Sequence, residues 1–438
     1  MVELHNRKIS GWGNYPTCKA LVIEPKSIDE LVEFVKNGES SFLGRGGKTS
    51  YGDVSINNDG INIDMTYINK ILSFSSETGI LHCQSGTKLL DIIKEFHPTG
   101  WFLNITPGTQ NATVGGCIAV DCHGKNWEAG SFCNYVIGFN ILIDNGDIIW
   151  CDEDSNSDLY FATLGGIGMT GVIIDVKMYL KTIITSFVNV ETIKIKNLEE
   201  LFRIQEQTMV SHEYLFTWVD ARMGGDSLGR GIMQRANYTE NDNLFYKSKK
   251  YIDIPFYFPN YSVNKYSVKL FNSCYYHFKK ESSISKIYFL DFFYPLDGFK
   301  NWSRVYGRKG FIEYQIVIPN KNAFRVIEKI LKIVSKSQLS SVIAAIKPLT
   351  KSKGILSFPI DGITLAIDFA YNKNLFNLLD NLDAIVIENG GRVYLAKDSR
   401  LNSENFKKMY GSNLYKWLTI QKKYNTRLSS RMMERFCL

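Results

Sequence analysis

Residues 107 to 126 read PGTQNATVGGCIAVDCHGKN, a run built almost wholly from small side chains that closes on His123 and Lys125. Small residues let main chain approach something flat or anionic, and a His-x-Lys pair sets donors and positive charge beside it. A chain carrying this segment must bring a ligand or other parts of itself into close contact with bare backbone. With six histidines in 438 residues, a histidine at the end of this run stands out. Read alone, the pair fits either a hydrogen-bonded structural imidazole beside a solvated lysine, or a seat equipped with working groups.

The length accommodates two or three domains, and 45% hydrophobic residues suffice for buried cores. The net charge of +7 is spread over many lysines. It suits an anionic substrate, an acidic membrane surface or a phosphate cofactor equally, and selects none. No nucleic-acid motif is visible, so no nucleic-acid partner is expected. The opening MVELHNRKISGWGNYP lacks the apolar core of a secretory signal, and no window approaches about 18 uninterrupted apolar residues. The expected location is cytoplasmic, at most peripheral on the inner face of the cell membrane. Eight cysteines are scattered without a C-x-x-C, which predicts reduced thiols and neither a disulfide frame nor a metal site.

Up to about Leu180, short β-rich runs such as KALVIEP, GINIDM and GVIIDVKMYL alternate with the helical patterns IDELVEFVKN and KLLDIIKEF. From Ile184 to Asn389 the runs lengthen and aromatics rise. Two helical segments, NLEELFRIQEQTMV and AFRVIEKILKIVSKSQ, lead there toward β-rich stretches such as GFIEYQIVIP. The expectation is α+β throughout, with two lobes and a closing segment from GGRVYLAKDSR that returns to the first. Residues 247 to 280 interleave aromatics with lysines, a composition that suits either a surface loop packing its own rings or a lipid–water interface.

FLGRGGKTSYGD (42 to 53) ends like a P-loop, but Phe42 stands where the first glycine is needed and no helical pattern follows. It reads as a strand entering a turn of glycines and hydroxyls whose amides can nest an anion. GIGMTG (166 to 171) fits G-x-G-x-x-G, but it follows a helical pattern and precedes a strand, the reverse of a dinucleotide fold. Lys397 in YLAKDSR fits either a half-buried, pKa-shifted amine or one arm of an ion-pair cluster.

Taken in order, GWG, SYGD, IDMT, PGT, TVGG, AGSF, YPLD, LSFPI, AKDSR and the pieces between them follow a specific series along nearly the whole chain. The chain resembles flavoproteins of the vanillyl-alcohol oxidase and p-cresol methylhydroxylase superfamily, and within it the oxidases of polyprenyl-phosphate pentoses. The resemblance implies a two-lobe α+β fold. An FAD-binding domain spans 1–185, a substrate-binding domain on an antiparallel sheet spans 186–390, and the segment 391–438 returns to the FAD domain.

It also implies roles for named residues. The first glycine loop, Gly44, Arg45, Gly46, Gly47, Lys48, Thr49, Ser50, Tyr51, Gly52 and Asp53, would wrap the FAD pyrophosphate. Gly108, Thr109, Thr113, Val114, Gly115, Gly116, Val120, Cys122 and His123 would line the flavin, with Gly168, Gly171, Ile173 and Tyr394 adding contacts. Relatives with covalent flavin carry a histidine where this chain has Thr49, and some a cysteine where it has Asn111, so FAD is expected to be non-covalent.

Oxidation of a secondary alcohol sends the carbinol hydrogen to flavin N5 as hydride while the hydroxyl loses its proton. Lys397, His123 and Tyr51 are the expected catalytic groups. Lys125, Gln315, Glu313, Lys347, Asp368, Phe293 and Trp218 are expected on the substrate side. Phe293 and Tyr294 replace the family's Tyr-His, Glu313 a glutamine and Ala366 a cysteine, and a carboxylate at Glu313 is expected to disfavour a phosphate. The implied substrate is a lipid-linked or other anionic sugar, oxidised as the first half of an epimerisation that a short-chain NAD(P)H-dependent reductase completes. The alternative is an oxidase of a soluble sugar, alditol or nucleotide-linked sugar.

Overall fold

The computed structural model describes residues 3–240 and 242–438. Local signals place the first helices. Ser27 accepts from the amide of Glu30, Asp29 and Glu30 occupy the first turn and Lys36 the last, so the helix Ile28–Asn37 is capped and its dipole complemented at both ends. Leu31 and Val35, one turn apart, go into the core.

A four-stranded sheet orders His5–Ser10, Thr17–Ile23, Ile61–Asp64 and Phe42–Arg45, the last two contacts parallel. Beside it an antiparallel sheet runs Ile71–Ser75, Ile80–Gln84, Val172–Thr182, Val136–Leu142 and Ile148–Asp152, with Trp101–Leu103 also on Val172–Thr182. GIGMTG lies between the helix Ser157–Thr163 and the strand Val172–Thr182, the order that excludes a dinucleotide fingerprint.

The largest sheet is antiparallel and eight-stranded. Its order is Ser282–Tyr288, Phe187–Ile195, Gly231–Tyr238, Tyr214–Val219, Ser340–Leu349, Gly362–Ala370, Phe311–Pro319 and Arg392–Val393. Side chains alternate between its faces. Tyr314, Ile316, Ile346, Leu365 and Ile367 join the helices Ala323–Ser337 and Leu375–Glu388 in one apolar core. Glu313, Gln315, Lys347, Thr364 and Asp368 therefore point the other way, toward the smaller sheets.

The segment from 391 first adds the edge strand Arg392–Val393 to the large sheet. It then crosses to the first lobe, where the helix Ser403–Tyr424 breaks at Gly411 (φ 51°) and Trp417 donates to the Ala162 carbonyl at 2.9 Å.

The stretch 247–280 is not a loop throughout: Lys265–His277 is a helix. Asn264 and Ser267 form a reciprocal capping box, and Val268, Asn272 and Tyr276 turn inward. The helical period is hidden in the sequence because its buried positions hold one valine, one asparagine and one tyrosine while apolar rings stand outside. All eight cysteines are free thiols. Among the described residues no helix is long and apolar enough to cross a membrane.

Candidate active site

Three segments distant in sequence are locked together by missing side chains. A Cβ on Gly46 would lie 2.1 Å from Thr113 Oγ1, one on Gly47 2.3 Å from the Asn111 carbonyl, and one on Gly52 1.7 Å from the Asp398 carbonyl. These are impossible contacts, so the first glycine loop, the small-residue run and the AKDSR tail can meet only with glycine at each place. Amide bonds fasten the tail: Tyr51 N–H donates to the Ala396 carbonyl at 3.0 Å and Asp53 N–H to that of Asp398 at 3.3 Å. The YPLD motif has a role here as well, since Asp297 accepts from Thr109 Oγ1 at 2.7 Å and from the Gln110 amide at 2.8 Å.

The inner face of the large sheet closes on this junction. Register sets Glu313 opposite Asp368, and aligns Gln315, Ala366, Ala345 and Trp218 in one row across four strands. His123, buried, receives a hydrogen bond at Nε2 from Gln315 Nε2 (2.8 Å). The Gln315 amide also donates to Thr364 Oγ1 at 3.0 Å, and that hydroxyl donates onward to the Ile316 carbonyl at 2.8 Å. The chain of bonds fixes the imidazole as the tautomer protonated at Nδ1, an atom with no partner among the described residues. Tyr394 stacks on Phe358 with centroids 4.5 Å apart and stands 5.2 Å from the His123 ring.

Lys397 Nζ lies 3.3 Å from Glu313 Oε1 and 3.3 Å from the ring centre of Tyr51, which also packs against Trp12 and Phe311. Glu313, the carboxylate expected to disfavour a phosphate, thus has an ammonium beside it. Lys347 Nζ donates to the Gly124 carbonyl at 3.3 Å. Lys125 Nζ donates to the Phe292 carbonyl and lies 4.2 Å from the centre of the Phe292 ring.

Burial, then the charges of Lys347 and Lys249, push Lys125 down to about 7. Burial, with Lys397 adding to it against the pull of Glu313, brings Lys347 to about 8. Burial and the same two lysines, Lys347 and Lys397, hold His123 well below its usual range, so it is neutral. On the acidic side, burial and then Glu313 raise Asp368 far above the usual carboxylate range, against the pull of Lys397. Tyr306, which no sequence signal marked, donates to Asp368 Oδ2 at 3.4 Å and shares a 2.8 Å bond with Ser341. Asp368 therefore holds a proton more readily than an ordinary carboxylate. The site therefore combines converging cations that repel one another, a pair of facing carboxyl groups, and a neutral imidazole.

Not every expected residue reaches this centre with a free group. Asp53 is buried and committed to Arg435 at 2.8 Å, a bond that ties the loop to the last helix. Arg45 donates to the Ser10 carbonyl, and Lys48 pairs with Asp64 at 2.7 Å. Phe293 packs among Tyr214, Phe102 and Phe292 in the core. Trp218 stands on the inner sheet face, but its indole N–H goes to the Val342 carbonyl at 2.9 Å and Tyr275 covers its edge. Gly168 and Gly171 adopt φ of +75° and +150° before Ile173, conformations that favour glycine.

The FAD binding domain family matches residues 19–152. With this fold and site the molecule is an FAD-dependent oxidoreductase. Decaprenylphosphoryl-beta-D-ribose oxidase of Mycolicibacterium smegmatis is 31% identical over 434 residues, 95% of this chain and 94% of that one. The chain belongs to that oxidase family. An uncharacterized protein of Streptomyces coelicolor is 27% identical over 72% of this chain and 89% of its own length. L-gulonolactone oxidase of Bos taurus is 25% identical over 48% of each chain.

The residues fit FAD. Four consecutive amides, Gly47 to Ser50, find no acceptor among the described residues, and Lys48 at φ +62° gives the turn the shape of an anion nest. A Cβ on the exposed Gly108 would meet nothing within 4 Å, while Gly115, Gly116 and Val120 stay half-buried in a run otherwise well packed. The buried Nδ1 of His123 is a second polar group without a partner among the described residues.

Proposed function

We propose that this enzyme oxidises the 2-hydroxyl of a pentose carried on a polyprenyl phosphate, giving the 2-keto sugar. One observation carries the reading: Lys125, Lys347 and Lys397 converge where burial and mutual repulsion already depress two of them, an arrangement that an anionic substrate relieves. The near end-to-end match to an oxidase of a lipid-linked ribose supports the same substrate class.

FAD is held non-covalently by the domain 1–185 with the tail 391–438, and the domain 186–390 receives the sugar. Bound FAD supplies the two-electron acceptor, taking the carbinol hydrogen as hydride. Lys397 donates to the substrate hydroxyl oxygen and orients it. The Glu313 carboxylate, 3.3 Å from that ammonium, takes the hydroxyl proton as the carbonyl forms. Asp368 and Tyr306 hold Glu313 in place, and Tyr51 walls the pocket beneath Lys397. Lys347 and Lys125 pair with the phosphate, and neutral His123 donates from Nδ1 toward the flavin side. The keto sugar needs a hydride from the opposite face to finish the epimerisation, which a separate NAD(P)H-dependent short-chain reductase provides. The enzyme works in the cytoplasm, peripherally at the inner face of the membrane that carries its substrate.

Anaerobic addition of a prenyl-phosphate pentose is expected to bleach the visible flavin band. Bleaching as fast with a water-soluble sugar phosphate would replace this substrate with a soluble sugar. No bleaching with any pentose would overturn the reaction.

A further inference from the structure

Ten of the 23 large apolar side chains exposed in the described structure fall between residues 251 and 278. Exposed apolar groups scattered singly need no explanation, but such a concentration marks a surface that something covers. On the helix Lys265–His277, Tyr266 and Leu270 are one turn apart and 72% and 67% exposed, with Phe271 beside them at 50%. Phe278, just past the helix, is 86% exposed.

Charge follows the same surface. Residues 247–280 hold seven lysines and one acidic residue, Asp253. Of the lysines only Lys249 is ion-paired among the described residues, to Asp291 at 3.2 Å. Lys265 and Lys269, themselves exposed, alternate with Tyr266 and Leu270 along the helix. Apolar rings flanked by solvated ammonium groups suit an anionic lipid–water boundary, where rings enter the headgroup layer and lysines meet phosphates.

The surface also adjoins the site. From the inward side of the same helix, Tyr275 packs on Trp218 with centroids 4.8 Å apart, and Asn272 donates to Asp220 at 2.7 Å. Trp218 heads the row that runs through Ala345 and Ala366 to Gln315. The preceding segment is tied to the same wall, because the Phe258 amide donates to the Arg304 carbonyl at 2.9 Å, two residues before the Tyr306 that bonds Asp368.

We infer that the helix Lys265–His277 and the aromatic segment before it form the docking face for an anionic phospholipid bilayer, lying in the membrane plane and presenting the sheet face behind it to a lipid-linked sugar. The choice of a bilayer as occupant rests on the proposed lipid-linked substrate; the pattern of rings and charges is independent of it.

The test sediments FAD-loaded protein with vesicles of phosphatidylcholine plus phosphatidylglycerol, and with phosphatidylcholine alone. Binding is expected to the anionic vesicles and to fall with salt. Leu270→Glu combined with Phe271→Glu is expected to weaken it by about tenfold or more, and Lys265→Gln with Lys269→Gln to flatten its salt dependence. Hydrogen exchange on the unaltered protein is expected to slow within 251–278 when vesicles are added, a readout that needs no variant to fold. Absence of binding to anionic vesicles, protection elsewhere only, or a dimer that the glutamate variant disperses would each overturn the inference, the last assigning the face to a second copy of the chain. Flavin reduction by a prenyl-phosphate pentose in detergent separates the two proposals: reduction without vesicle binding removes the docking face alone, and binding without reduction removes the reaction alone.

Discussion

Lys397 on the returning tail and Glu313 on the strand next to the edge of the large sheet meet at 3.3 Å, Nζ to Oε1. The contact joins a cation from one part of the chain to a carboxylate from another. Neither residue has this neighbour until both lobes and the tail are assembled.

Replacing Lys397 by Ala removes the group proposed to orient the hydroxyl. The rate of anaerobic flavin reduction is expected to fall by roughly 100-fold or more while the protein stays yellow. Glu313→Gln keeps the shape and removes the proton acceptor, and is expected to slow the same step without changing cofactor content. Full-rate reduction in Lys397→Ala would assign hydroxyl orientation, and in Glu313→Gln proton transfer, to another group.

Lys125 gives stability a pH dependence with a definite sign. It titrates near 7 in the folded protein and near the usual 10.5 when unfolded. Between those values the unfolded chain binds a proton that the folded chain lacks, so stability rises with pH across the window. Below about 7 both states are charged and the full cost of burying the ammonium is present. Lys125→Met should flatten that rise, leaving a smaller one from Lys347 between about 8 and 10.5. Urea midpoints of the FAD-free protein at the two ends of the window measure it.

The Asp53–Arg435 pair anchors the last helix to the glycine loop, and Arg435 also reaches Asp398 at 2.9 Å. Arg435→Ala leaves a buried carboxylate without its partner and is expected to cost about 3 kcal/mol. Thermal unfolding measures the loss. Adding Asp53→Asn should restore part of it, because the buried charge goes as well.

Two glycines separate packing from ligand binding. Gly46→Ala places a Cβ against Thr113 and should destabilise the protein with or without FAD. Gly108→Val puts its Cβ where no protein atom lies within 4 Å, so the FAD-free form should melt as before while FAD affinity drops by about tenfold. Equal affinity for FAD in Gly108→Val would move the cofactor away from this surface.

Much of the architecture was legible in local pattern. Val326, Ile327, Ile330, Leu331 and Val334 recur at helical spacing, and all are buried on one side of Ala323–Ser337. Alternation in FIEYQIVIP likewise puts Glu313 and Gln315 on one face. The helix Lys265–His277 was not legible, because its outward positions carry the apolar residues that normally mark the inward side.

The order of glycine motifs and the AKDSR tail sufficed to identify an FAD-dependent oxidase, since close approach of backbone to backbone or cofactor leaves a mark in residue type at each position. Residue type carries no record of cross-strand register. That Glu313 faces Asp368, that Tyr306 bonds Asp368, and that Asp53 pairs with Arg435 follow from how strands and tail settle against one another. Charges and hydrogen-bond partners far apart along the chain acquire their proton affinities only from such neighbours, and that is why the chemistry of the pocket emerged only with the folded lobes in contact.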